Sequence, residues 1–195
     1  MKIIFIIIAL GAFLSSCHKD QSVLTDEYYD FAGYFSEEIN HLKNDSTLTL
    51  SKMVTLNKVT EQKSLIKPDW NQELAVFKKI NIKPAVWKNS YRLDSFVKID
   101  KQLTTLHYST ADPKMEIHRI EITDTMDFSG GQPNYKQLMS PNKLIFHLKV
   151  KNALTSSLKI LAWLPNKGFV ITGSQKTKVF DTANYRIQGI WRWKP

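Results

Sequence analysis

More than half of the chain, from Ser90 to the C-terminus, is written in period two. Tyr91, Leu93, Val97 and Ile99 alternate with Arg92, Asp94, Lys98 and Asp100. Leu106 and Tyr108 follow, and Ala111-Asp112-Pro113 turns the chain. Met115 to Ile122 continues the pattern with a parity change between Ile117 and Ile120, which predicts a β-bulge. Leu144, Phe146, Leu148 and Val150 alternate with lysines and His147. Leu158 to Leu164 is more evenly apolar and predicts a central strand covered on both faces. After the turn Pro165-Asn166-Lys167-Gly168 come Phe169 to Phe180 and Tyr185 to Trp193. Seven strands joined by short turns predict an antiparallel meander. Asp124 to Asn142 is its longest irregular stretch.

The N-terminal half has a different period. Tyr28, Phe31, Phe35, Ile39 and Leu42 fall at helical spacing and predict a helix over Asp26 to Lys43, capped by Thr25. Leu48, Leu50, Val54 and Leu56 share one parity, so two further strands meeting at Asn57-Lys58 are expected, with a short helix over Ser51 to Lys58 as the alternative. Asp69 caps a second helix, Asp69 to Ile80, with Trp70, Leu74 and Phe77 on its apolar stripe. The expected fold class is α+β: a curved antiparallel sheet of seven to nine strands with two N-terminal helices on one face. This layout resembles the half-barrel of periplasmic lipoprotein carriers, in which helices plug a curved sheet.

The first seventeen residues, MKIIFIIIALGAFLSSC, read as an export signal. Lys2 gives a positive start, and Ile3 to Leu14 is an apolar run too short for a spanning helix, which needs about 20 residues. Leu14-Ser15-Ser16-Cys17 ends in the only cysteine of the chain. This end resembles a bacterial lipoprotein lipobox. The resemblance implies cleavage after Ser16, lipid chains on Cys17, and an outer-membrane location on the periplasmic side or the cell surface. Lys19-Asp20 resembles the charged residues after the lipidated cysteine in lipoproteins of the Bacteroidota. Asp69-Trp70, Leu74, Phe77, Ile82-Lys83-Pro84, Trp87 and Tyr91 resemble a recurring segment of small lipoproteins of that phylum, a group with no assigned activity. The domain plan is therefore a signal peptide over 1–16, a lipidated tether over 17–24 and one domain over 25–195.

Composition limits the chemistry. With Cys17 lipidated, no thiol remains for a disulfide or a thiolate metal site. The net charge of +9 is spread along the chain with no run longer than Lys78-Lys79, so a solvated basic surface is expected and no nucleic-acid partner. His107 and His147 have the opposite parity to their apolar neighbours and should face solvent; with His118 they form no ligand spacing, and no metal or cofactor is expected. Asp124 and Asp127 in the long irregular stretch can serve as a calcium site or an acid–base pair, and Gly130-Gly131 can bring backbone N–H groups to a ligand. Trp163, Trp191 and Trp193 share a parity, so Phe35, Phe77, Trp163 and Trp191 are the candidate lining of an apolar cleft between helices and sheet. No nucleophile–base spacing is present. The expected function is a non-catalytic envelope module that binds an amphiphile, a glycan or an envelope protein. The alternative is a hydrolase of envelope material using Asp124 and Asp127.

Overall fold

The computed structural model describes residues 29–82, 90–98, 103–125 and 141–193. Cys17, the segment before it, Thr25, Asp127, Gly130 and Gly131 lie outside the described residues. The elements run α1 (Phe31–Asn44), β1 (Leu48–Leu56), β2 (Val59–Leu65), α2 (Trp70–Glu73), α3 (Ala75–Lys78), β3 (Arg92–Lys98), β4 (Leu103–Ser109), β5 (Ile117–Thr125), β6 (Lys143–Lys151), β7 (Thr155–Leu164), β8 (Gly168–Thr177) and β9 (Ala183–Trp193). The fold is α+β. A single nine-stranded sheet has the order β2-β1-β9-β8-β7-β6-β5-β4-β3, and every neighbouring pair is antiparallel. Strands β3 to β9 are the expected meander, and the hairpin β1–β2 adds to its last strand. The sheet is open. Its edge strands β2 and β3 carry Glu61, Lys63, Arg92 and Asp94, charges that discourage further strand pairing.

Asn57 explains the first hairpin. It sits at φ 53°, a left-handed conformation that asparagine tolerates, and the strand continues through Ser51 to Leu56, so the alternative short helix there does not form. The bulge falls between Ile117 and Arg119. It shifts the parity so that Ile117, Ile120 and Ile122 all reach the buried face. Strand β7 is central by position, but its outer face is open: Leu161 and Trp163 are buried, whereas Leu158 and Ile160 are about half exposed. The evenly apolar run therefore does not mark a strand covered on both faces. Strand β8 ends at Thr177, and Phe180 lies in the following loop.

Both helices differ from their sequence expectation. Helix α1 begins at Phe31, after non-helical Tyr29 and Asp30, and not at Asp26. Asp30 is the better cap: its Oδ1 accepts the Gly33 N–H at 3.1 Å, one of the orphan donors of the first turn. The second helix is two single turns, α2 and α3, broken at Leu74 (φ −105°, ψ 12°). Trp70, Leu74 and Phe77 keep their inward stripe across the break, and Ile80 and Ile82, beyond α3, are buried as well. Asp69 caps the first of these turns, accepting the Asn71 and Gln72 N–H groups at 3.0 and 3.4 Å.

Beneath the helices the inner sheet face holds an aromatic chain. Phe35 packs on Phe77 at 5.2 Å and edge-on against Trp163 at 5.5 Å; Trp163 meets Trp191 at 5.4 Å, and Trp191 meets Trp70 at 5.2 Å. Tilted and edge-to-face pairs of this kind each add about 0.5–1.5 kcal/mol beyond their buried area.

Candidate functional site

The sheet is longer than the layer that covers it. Helix α1 packs its buried face, Phe31, Phe35, Ile39 and Leu42, on one part of the inner sheet face. Beside it the turns α2 and α3 hang over the middle of β1, where Lys52 Nζ and Glu73 Oε2 pair at 2.6 Å, mostly out of solvent. Between these turns, the inner sheet face and the segment 112–117 lies a cavity of about 1250 Å³. Its floor is Ile117 of β5, Leu148 of β6, Lys159 of β7, Phe169 and Ile171 of β8, and Ile187 of β9. Its roof is Val76, Lys79 and Ile80, and its side wall includes Tyr91, Lys114 and Met115.

The wall is well fixed. Tyr91 Oη donates to the Ile117 carbonyl at 2.7 Å, tying the start of β3 to the bulged strand. Lys149 N–H reaches the Glu116 carbonyl at 2.8 Å across the bulge. The sheet side sets two lysines among branched aliphatics and a phenylalanine: Lys52 of β1, taken up by Glu73, and Lys159. Lys159 faces inward with the parity of Leu161 and Trp163, opposite Leu148 on one side and Gly173 on the other. It is half-buried, and among the described residues it has no ion-pair partner. An ammonium on a greasy floor, with its stem lying along that floor, offers charge to a head group and surface to a chain.

The sequence pointed to other residues. Phe35, Phe77 and Trp163 have no accessible surface and Trp191 has almost none. They are packed on one another, and the cavity is lined by their neighbours, of which Phe169 meets the aromatic chain ring to ring. Trp193 shares the parity of Trp191 but lies at the strand end, about half exposed. The signal that would have found the cavity was Lys159, a charge breaking the inward-facing parity of β7.

Asp124 ends β5 well away from this cavity. It is buried, and its Oδ1 accepts the Thr125 N–H at 2.8 Å and Asn142 Nδ2 at 3.4 Å. Burial raises its carboxyl above the usual aspartate range. Across the strand pair stands Thr104, also buried, whose hydroxyl has no partner among the described residues. A carboxyl raised by folding favours the native state when protonated. Its stabilising contribution is therefore full below the unfolded aspartate range and is lost as pH rises through the raised native value. Asp124→Asn should keep an Oδ1 acceptor, flatten this part of the pH–stability curve and raise stability at neutral pH relative to the parent. Chemical unfolding at pH 4 and pH 7 checks it, and a larger loss at pH 7 than at pH 4 would show that the carboxylate charge is itself stabilising.

His107 and His147 lie on the outer sheet face, as their parity predicts, while His118 sits at the bulge with its Nε2 buried. Arg119 Nη2 donates to His107 Nδ1 at 3.1 Å, and Arg119 Nε and His147 Nε2 share Glu121 Oε1 at 3.0 and 3.2 Å. Burial and then the Arg119 charge hold His107 below the usual imidazole range, so Nδ1 stays an acceptor. Among the described residues no three His, Cys, Asp or Glu side chains are placed to hold a metal ion. Comparison with protein families, with curated proteins and with solved structures finds no match, so the geometry of this chain alone carries its functional reading.

Proposed function

We propose that this chain is an outer-membrane lipoprotein, tethered through Cys17, whose domain is a non-catalytic envelope module that binds an anionic amphiphile between sheet and helices. The observation that carries the reading is the cavity of about 1250 Å³ with an aliphatic floor and an inward lysine, Lys159, that has no ion-pair partner among the described residues. Most small-molecule sites enclose about 300–1,000 Å³, so this one has room for a molecule with a long acyl chain. The aliphatic floor favours a chain over a glycan, which would need more polar partners. With Lys52 and Glu73 paired to each other, Lys159, Lys79 and Lys114 outnumber Asp112 and Glu116 in the lining and favour a negative head group. The lipobox-like end of the first seventeen residues supports the tether. The hydrolase alternative gains nothing from Asp124, which is buried away from the cavity.

One preparation tests both parts. Cys17→Ala should move the protein from the membrane pellet to the soluble fraction. Native mass spectrometry of that form, purified from its own envelope, should show a co-purifying amphiphile. In the Cys17→Ala/Lys159→Ala form the occupancy should fall about tenfold, the scale of one charge-assisted contact. Retention of Cys17→Ala in the pellet would overturn the tether. A clean apo mass would overturn the amphiphile reading.

A further inference from the structure

The sheet end that carries the 57–58, 152–154 and 178–182 connections presents greasy tips in a basic setting. Leu154 is 68% exposed, Val179 79% and Phe180 75%. These side chains are held out. Asn152 Oδ1 accepts the Leu154 and Thr155 N–H groups at 2.9 and 2.7 Å, and Thr177 Oγ1 accepts the Phe180 N–H at 2.9 Å. The loops are joined to one another: Lys178 N–H donates to the Leu154 carbonyl at 3.1 Å, and Asn57 N–H donates to the Asn184 carbonyl at 2.7 Å. The result is one ordered platform. Around its tips stand Lys58, Lys151, Lys176 and Lys178, all exposed, and the only acidic residue in the three loops is Asp181.

We propose that this platform seats on an anionic phospholipid surface, with Leu154, Val179 and Phe180 entering the acyl boundary and the four lysines meeting the head groups. Charge and apolarity are combined as an interface demands: Lys58 and Lys178 lie in the connections beside the greasy tips, and Lys151 and Lys176 stand at the adjoining strand ends. A protein partner would more commonly meet tyrosine, tryptophan and arginine, with lysine depleted. The proposal does not depend on a ligand in the cavity. It is also compatible with a tether at Cys17. The described chain enters at Tyr29, within electrostatic range of Asp124 at the opposite sheet end, and the twelve residues from Cys17 to Tyr29 can span up to about 40 Å, more than a strand of this sheet.

The test uses the chain from residue 17 onward as Cys17→Ser/Val179→Cys, so that the loop holds the only thiol, labelled with a polarity-sensitive NBD fluorophore. On vesicles containing 30 mol % phosphatidylglycerol the probe should shift to the blue and be quenched by lipids carrying a shallow nitroxide. On pure phosphatidylcholine vesicles the shift should be much smaller. A probe at Lys167→Cys, on the opposite sheet end, should stay in water on both. Adding Lys151→Gln, Lys176→Gln and Lys178→Gln should weaken the response on anionic vesicles about a hundredfold, at roughly fivefold per lysine charge removed. A Val179 probe that remains in water on anionic vesicles overturns the proposal and leaves the platform to a protein partner. Equal shifts at positions 179 and 167 overturn it too, because they show adsorption without orientation.

Discussion

Trp163→Ala should lower stability by about 4 kcal/mol and the midpoint of thermal unfolding by about 8–16 °C. Trp163 is fully buried at the centre of the aromatic chain, against Phe35, Phe77 and Trp191. Truncation leaves a cavity bounded by rigid rings, which cannot collapse into it as aliphatic side chains do. It also removes the Nε1–H that donates to Tyr34 Oη at 3.1 Å. Tyr34→Phe isolates that bond and should cost only about 1 kcal/mol. Urea unfolding monitored by circular dichroism separates the two variants. A Trp163→Ala loss below about 1 kcal/mol would mean that this region is loosely packed, and the aromatic chain would again be open as a ligand cleft.

That prediction marks where sequence reasoning and structure part. Alternation predicts the strands because a strand with one buried face must repeat every two residues, and β4, β6 and β9 follow that rule with little interruption. It likewise predicts the bulge at Ile117, since only an extra residue restores the inward parity. Periodicity cannot say which aromatic side chains close on one another and which border open space. Phe77 and Phe169 both point inward and touch at 5.9 Å, yet only Phe169 reaches the cavity. The difference is set by where α3 ends and the 112–117 segment begins, a matter of layer lengths. The cap at Asp30 was missed for a related reason. Tyr28 extended the helical stripe by one position, and stripe matching ignores the side-chain acceptor that the first turn needs.

Gly168→Ala should cost about 4 kcal/mol, as much as deleting the central tryptophan. The β7–β8 turn passes through Asn166 at φ 59° and Gly168 at φ 145°. The second conformation is one that a Cβ opposes, with a strain of about 1–3 kcal/mol. The added Cβ would also fall on the carbonyl oxygen of Gly189 in the neighbouring strand. That oxygen is backbone, flanked by the pairing of Gly168 with Ile190, so it cannot swing aside as a side chain would, and overpacking adds about 1–3 kcal/mol. Asn166→Gly supplies the control, because the left-handed position accepts glycine and stability should change by less than about 1 kcal/mol. The consequence reaches the candidate site. Gly168 is the residue from which β8 starts, and Phe169 and Ile171, the next two inward positions, are floor residues of the cavity. A Gly168→Ala protein that still folds should therefore bind its amphiphile more weakly, whereas Asn166→Gly should bind it as the parent does. Unfolding curves with an unchanged slope and a midpoint within about 1 kcal/mol of the parent would show that β8 can shift away from Gly189 at little cost, and the floor would then not be rigidly placed.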